Sequence, residues 1–161
     1  MRIGIDGIMI NEVGEWLDRF VKGIQVEMQN QGINASGNLS NSLEWRIEDT
    51  SDGIHASVLA DNYFLYAEKG RDRGRIPYDF GRILADWTDA KGISVPSKFK
   101  DRLAFGWAIA GKIRNYGSKR HRDRQPADVV GDVLDRERPK LNEILENRMT
   151  VYVNDSLFNL R

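Results

Sequence analysis

A chain of 161 residues suits one domain of ordinary size, able to bury roughly 70% of its unfolded surface without staples. With no cysteine, disulfides, thiolate metal sites and cysteine nucleophiles are excluded. Net charge is zero but unevenly spread: residues 1–68 hold four cations against eleven anions (net −7), 69–124 fifteen against six (net +9), and 125–161 five against seven (net −2). Such a polarised subunit suits head-to-tail stacking, unless the folded surface mixes the charges. The start, MRIGIDGIMINEVGEW, lacks the basic-then-apolar order of a signal peptide, and no apolar run approaches the ~20 residues that span a bilayer. The expectation is a chain that is soluble when made.

In chain order, residues 1–10 (RIGIDGIMI after the first Met) alternate apolar residues with two glycines and read as a short strand or an extended arm. Residues 12–31 predict a helix: Val13, Trp16, Leu17, Phe20, Val21, Ile24 and Met28 form an i, i+3/i+4 stripe, and Gly32 is a natural stop. INASGNLSNS (33–42) reads as a loop or a short capped turn, its serines as helix caps. Leu43, Trp45 and Ile47 then alternate with charged residues. Thr50-Ser51-Asp52-Gly53 has turn chemistry, and Ile54, Ala56 and Val58 alternate again. This is a β-hairpin at about 43–59 with one buried face.

YFLYAEKG, after Asp61-Asn62, is either a buried strand or one helical turn. Residues 69–77 predict a mobile basic loop. A helix follows at 78–90, with Phe80, Ile83, Leu84 and Trp87 on one face, Pro77 near its first turn and Gly92 at its end. Ser97 is the expected N-cap of a helix at 98–115 that is apolar on two faces: Phe99, Leu103, Trp107, Ala110 and Ile113 on one, Phe105, Ile109 and Tyr116 on the other. Gly106 and Gly111 inside it cost roughly 1 kcal/mol each against Ala and imply close packing. Residues 117–126 predict a second mobile basic loop. A helix at 127–149 follows, kinked or split by Pro139, and 150–161 read as a last strand or an arm on a neighbour. The fold class is α+β: a small antiparallel sheet including the hairpin, packed by the long N-terminal helix and three further helices, in a single domain over 1–161.

Catalytic motifs are sparse. His55 on a strand and His121 in a basic loop have no spaced metal-ligand partner, and there is no G-x-S-x-G or P-loop match. Asp61, Glu68 and Asp72 could hold a metal in a nuclease-like site, though nothing in their spacing demands it. The site-like features are the basic loops: Lys69, Arg71, Arg73 and Arg75 in one, Lys119, Arg120, Arg122 and Arg124 in the other. Three readings stay open for them: solvated loops, Arg forks on the acidic part of a neighbouring subunit, or sequence-independent contact with DNA phosphates. No aromatic is interleaved in the cation runs, which argues against single-strand stacking.

Three segments carry a family resemblance. A-S-G-N-L-S-N-S-L (35–43), with Gly37, Leu39 and Ser42, follows the long helix and leads into the hairpin. Y-F-L-Y-A-E-K-G-R (63–71), with Tyr63, Glu68 and Gly70, comes after it. I-L-A-D-W-T-D-A-K-G-I (83–93), with Trp87 and Gly92, precedes L-A-F-G-W-A-I-A-G-K-I (103–113) and Gly117. In order and spacing these resemble the tail-completion and neck proteins of long-tailed double-stranded-DNA bacteriophages, the group of minor-tail-protein-Z-like and tail-terminator-like subunits. Phe64 departs from the small residue usual there, and the aromatic usual after Pro126 is missing.

The resemblance implies a non-enzymatic virion protein without cofactor or metal, assembled in the host bacterial cytoplasm and located in the neck or tail. It implies a homo-oligomeric ring that meets portal or adaptor and tail-tube proteins and surrounds the double-stranded DNA passage, with no membrane partner. It also implies a turn at Gly37, a loop entry shaped by Glu68 and Gly70, and core positions for Tyr63, Tyr66, Trp87 and Trp107.

Overall fold

The computed structural model describes residues 7–33, 37–50 and 53–158. It is α+β, with one antiparallel hairpin and a majority of helix. Where composition predicts a single domain, the contacts gather into two compact units: a first of residues 1–27, 43–59 and 129–161, and a second of residues 28–42 and 60–128.

The first unit is organised on helix α1 (Gly7–Asn30). Its expected stripe is buried: Val13, Trp16, Leu17, Phe20, Val21 and Ile24. Trp16 stacks on Phe20 one turn on, with ring centroids 5.1 Å apart. The helix begins earlier than expected. Residues 7–10, read as strand or arm, form its first turn, because Met9 continues the spacing of Val13 and Trp16. Residues 1–6 lie outside the described residues.

Strands β1 (Glu44–Thr50) and β2 (Gly53–Leu59) pair with Trp45 opposite Val58 and Ile47 opposite Ala56, so the apolar residues of both strands share a face. That face is half-buried rather than sealed. The hairpin is tied to α1 where the Trp45 indole donates to Asp18 Oδ1 at 2.6 Å.

Helix α7 (Val129–Phe158) also packs on α1. The Trp16 indole donates to the Glu137 carbonyl at 3.0 Å, and Arg148 forks onto Glu12 at 2.8 and 2.6 Å. Val129 and Val133 are fully buried. Pro139 was expected to kink or split this helix; it does not split it, and α7 is one helix on both sides of the proline. The proline removes the one backbone donor that would serve the Asp135 carbonyl, and the turns on either side stay helical. The strand or arm expected at 150–161 is helical to Phe158. Once the long amphipathic stretch before it is helical, each further residue adds a bond, and among the described residues no third strand offers Val151 a partner.

In the second unit α1 ends at Gly32, whose positive φ lets the amide of Ile33 reach the Met28 carbonyl at 2.8 Å; Gly92 closes helix α4 (Phe80–Ala90) the same way, Ile93 to Thr88. Helix α2 (Asn38–Asn41) is the expected short turn, starting after Gly37. Ser42 closes it, its hydroxyl donating to the Leu39 carbonyl at 2.8 Å and accepting from the Asp61 amide at 3.2 Å. Ser36 lies outside the described residues. YFLYAEK forms helix α3 (Tyr63–Lys69), not a strand.

Helices α4 (Phe80–Ala90) and α5 (Arg102–Tyr116) make a close antiparallel pair around Phe80, Leu84 and Ala110, flanked by Ile76, Ile109 and Ile113. Ser97 does not cap α5. Asp101 does, accepting from the Ala104 amide at 2.7 Å, while 96–99 form a turn first. Arg102 then ties the two helices, donating to the Ile93 carbonyl at 2.9 Å and to Thr88 at 3.3 Å while pairing with Asp89 at 3.2 Å.

Helix α5 is not buried on both faces as expected. Its buried positions are Gly106 and Ala110, and Leu103, Trp107 and Tyr116 are exposed. The small residues bring the two backbones close, and the Trp107 indole lies over Gly81 with its outer side open. A β-carbon on Gly106 would stand 2.2 Å from the Gly81 carbonyl oxygen.

Candidate functional site

All eight cations singled out in the sequence lie in the second unit, and the structure brings their two loops together. The Arg71 amide donates to Ser118 Oγ at 2.8 Å, and the Ser118 amide donates to the Arg71 carbonyl at 2.8 Å. The Gly74 amide donates to the Arg114 carbonyl at 2.9 Å, and the Ala127 amide to the Glu68 carbonyl at 2.8 Å. Gly70 sits where the loops touch: a β-carbon there would stand 2.6 Å from Ser118 Oγ. His121 pairs with Asp72 across the same seam at 3.3 Å.

Each segment is irregular for most of its length but borders or contains a short helix. Lys69 closes α3, and Lys119–Arg122 form a one-turn helix, α6, whose N-cap is Ser118. Backbone amides and carbonyls satisfied across the seam hold both in place.

This arrangement divides the eight cations by role. Arg71 is half-buried, with its guanidinium over the Tyr66 ring at 4.7 Å and the Phe80 ring at 5.4 Å, and donates to the Arg75 carbonyl. Arg120 donates to the Ala67 carbonyl. These two build the seam. The side chains of Lys69, Arg73, Arg75, Lys119, Arg122 and Arg124 are exposed and meet no partner among the described residues. Two loops 40 residues apart in sequence thus become one basic patch. Its aromatic neighbours, Tyr66 and Phe80, come from α3 and α4 and could not be read from the cation runs.

The motif residues meet at a second place. Leu39, Tyr63 and Trp87 line one groove of about 370 Å³, together with Ile83, Leu84 and Ala90 of α4. Asp61 and Asp86 also line it, and neither carboxylate meets a cation among the described residues. The expectation of core positions fails for most of these aromatics: Tyr63, Tyr66 and Trp107 keep 44–49% of their surface open, and Trp87 is half-buried. Burial of part of Tyr63 nonetheless pushes its phenol above the ordinary range, with Arg71 drawing it the other way.

Of the remaining motif residues, Gly37 precedes α2 with φ 84° and allows the turn expected of it, and Gly92 closes α4. Glu68 shapes the seam through its carbonyl. His55 is exposed on β2. Among the described residues no group of three His, Asp or Glu side chains is placed to hold a metal ion, and no helix is long and apolar enough to cross a membrane. The second unit thus presents a basic patch and an acidic-edged apolar groove. Compared with known proteins, the chain matches no family model, no curated protein and no solved structure.

Proposed function

We propose that this chain is a virion structural subunit that forms a ring at the head–tail junction or tail end of a long-tailed phage, around the DNA passage. The observation that carries the proposal is the second unit's surface. Six unpartnered cations, pinned on one seam, lie on a unit whose Tyr63, Leu65, Tyr66, Tyr78, Trp107 and Tyr116 stay exposed. Exposed apolar area of this kind, edged by charge, suits contact with other protein chains. The polarised charge of the sequence suits a contact repeated around an axis. Portal or adaptor and tail-tube proteins are the partners above and below such a ring.

The test is location. Antibody-gold labelling of particles carrying a tagged copy places the label at the neck or tail end if the proposal holds. Particles that lack the chain, or a purified chain that forms a tight two-fold dimer, overturn it.

A second reading is favoured by the merged patch: sequence-independent binding of duplex DNA, with affinity falling steeply as salt rises. Its test is a mobility shift of wild type against a K119A/R122A/R124A variant, which spares Arg120 and so keeps the seam. No shift at low salt removes this reading. A small nuclease centred on Asp61 or Glu68 is tested by plasmid nicking with magnesium or manganese, and a blank result removes that one.

A further inference from the structure

Tyr78 is 98% exposed, the most open of the large apolar side chains in the described residues. A singly exposed aromatic is ordinary, but this one stands on a held backbone. The Gly74 amide is bonded to Arg114 before it, and the Phe80 amide to the Pro77 carbonyl at 3.2 Å beneath it. Arg73 and Arg75, both exposed and unpartnered among the described residues, precede it in the chain. It is an aromatic knob on a held backbone, following two positive charges in the chain.

The same unit carries the matching hole. The groove of Leu39, Tyr63, Ile83, Leu84, Trp87 and Ala90 is apolar, and Asp61 and Asp86 are exposed at it. Its volume of about 370 Å³ falls near the low end of the roughly 300–1,000 Å³ of small-molecule sites, a size that suits a single side chain better than a large ligand. Tyr78 is not among the residues that line it.

We propose that Tyr78 of one copy seats in this groove of the next, with Arg73 and Arg75 meeting Asp61 and Asp86. Knob and hole are different surfaces of one unit, so each contact leaves a free knob and a free hole. Such a heterologous contact repeats until it closes. The ring attraction then rests on one buried aromatic anchor with a charged rim, the usual layout of an interface hot spot. With the backbone around the knob already held, seating costs chiefly the side chain's own freedom. This deepens the ring proposal by naming the two faces that meet.

Because the chain has no cysteine, the contact is open to site-specific cross-linking. The variant D79C/A90C leaves Tyr78 intact and places one thiol beside the knob and one at the groove. A short bis-maleimide tolerates distances that a direct disulfide does not. At high protein concentration the expected product is a covalent ladder extending past the dimer, with the 79–90 link identified by mass spectrometry. Adding Y78A removes the ladder, and Y78F keeps it. Adding D61N/D86N cuts the yield about tenfold at low salt, equivalent to about 1.4 kcal/mol. The control D79C/K112C stays at background.

Absence of the 79–90 link, a ladder that stops at the dimer, or a ladder indifferent to Y78A overturns the contact. Multimers or virion rings that lack this link sink the contact alone and leave the ring proposal standing. A 79–90 ladder from a chain absent from particles does the reverse.

Discussion

Trp107 lies over Gly81: a β-carbon on Gly81 would stand 2.1 Å from the indole ring. The α4–α5 pair is therefore built on absent side chains, and the indole is left 44% exposed on the outside.

The three glycines of this pair respond differently to Ala. At Gly106 the obstacle is backbone, the Gly81 carbonyl and the Ala85 amide, which cannot rotate away. G106A therefore destabilises by about 1–2 kcal/mol even after the helix-propensity gain. At Gly81 the obstacle is a partly exposed indole that can swing outward, so G81A costs less, and W107A relieves it. Gly111 has open space around it, and G111A stabilises by about 0.5–1 kcal/mol. Denaturant midpoints of the three variants check this order.

Ser118 holds both basic segments with one hydroxyl, which accepts from the Arg71 amide at 2.8 Å and the His121 amide at 3.4 Å. S118A is expected to cost about 1–2 kcal/mol. Amide exchange at Arg71 and His121 should rise together, and trypsin should cut after Arg73 and Arg75 faster than in wild type. If only His121 responds, the hydroxyl is a helix cap and not a clasp between loops.

Asp101 and Ser97 compete as the start of α5, and the structure favours Asp101. D101A should cost about 1 kcal/mol, a fall in Tm of roughly 2–4 °C for a chain of this size. S97A should leave the Tm nearly unchanged.

Glu12 and Arg148 make a two-pronged ion pair in the first unit, partly open to solvent. Exposure discounts it, so E12Q should cost about 1 kcal/mol and less at high salt. R148K keeps the charge but loses the fork, and should recover only part of that stability.

Tyr63 carries the pH dependence. Folding favours the protonated phenol, so the unfolded chain loses its proton first as pH passes about 10. The stability this group supports is whole below that pH and falls as pH climbs toward the raised folded value. Urea midpoints of wild type and Y63F should therefore converge at neutral pH and separate in alkali, with Y63F the flatter. Equal slopes would refute the shift.

Much of this protein was legible along the chain because its signals are local. The stripe from Val13 to Met28, the stops at Gly32 and Gly92, and the alternation across Thr50 and Gly53 each depend on neighbours within a few residues. They determined α1, the end of α4 and the hairpin register. The α+β class followed from these elements. Where two periodicities overlapped, as at Met9 and Val151, helix prevailed, since propagation from a long amphipathic segment outweighs a short alternation.

What only the tertiary structure decided was anything that joins distant residues. Gly81 leaves room for the Trp107 indole and Gly106 for the α4 backbone; Arg71 and Ser118 clasp two loops into one patch; Leu39, Tyr63 and Trp87 meet at one groove. Such pairings are set by which backbones approach each other and which amides need partners, and local sequence carries no record of either.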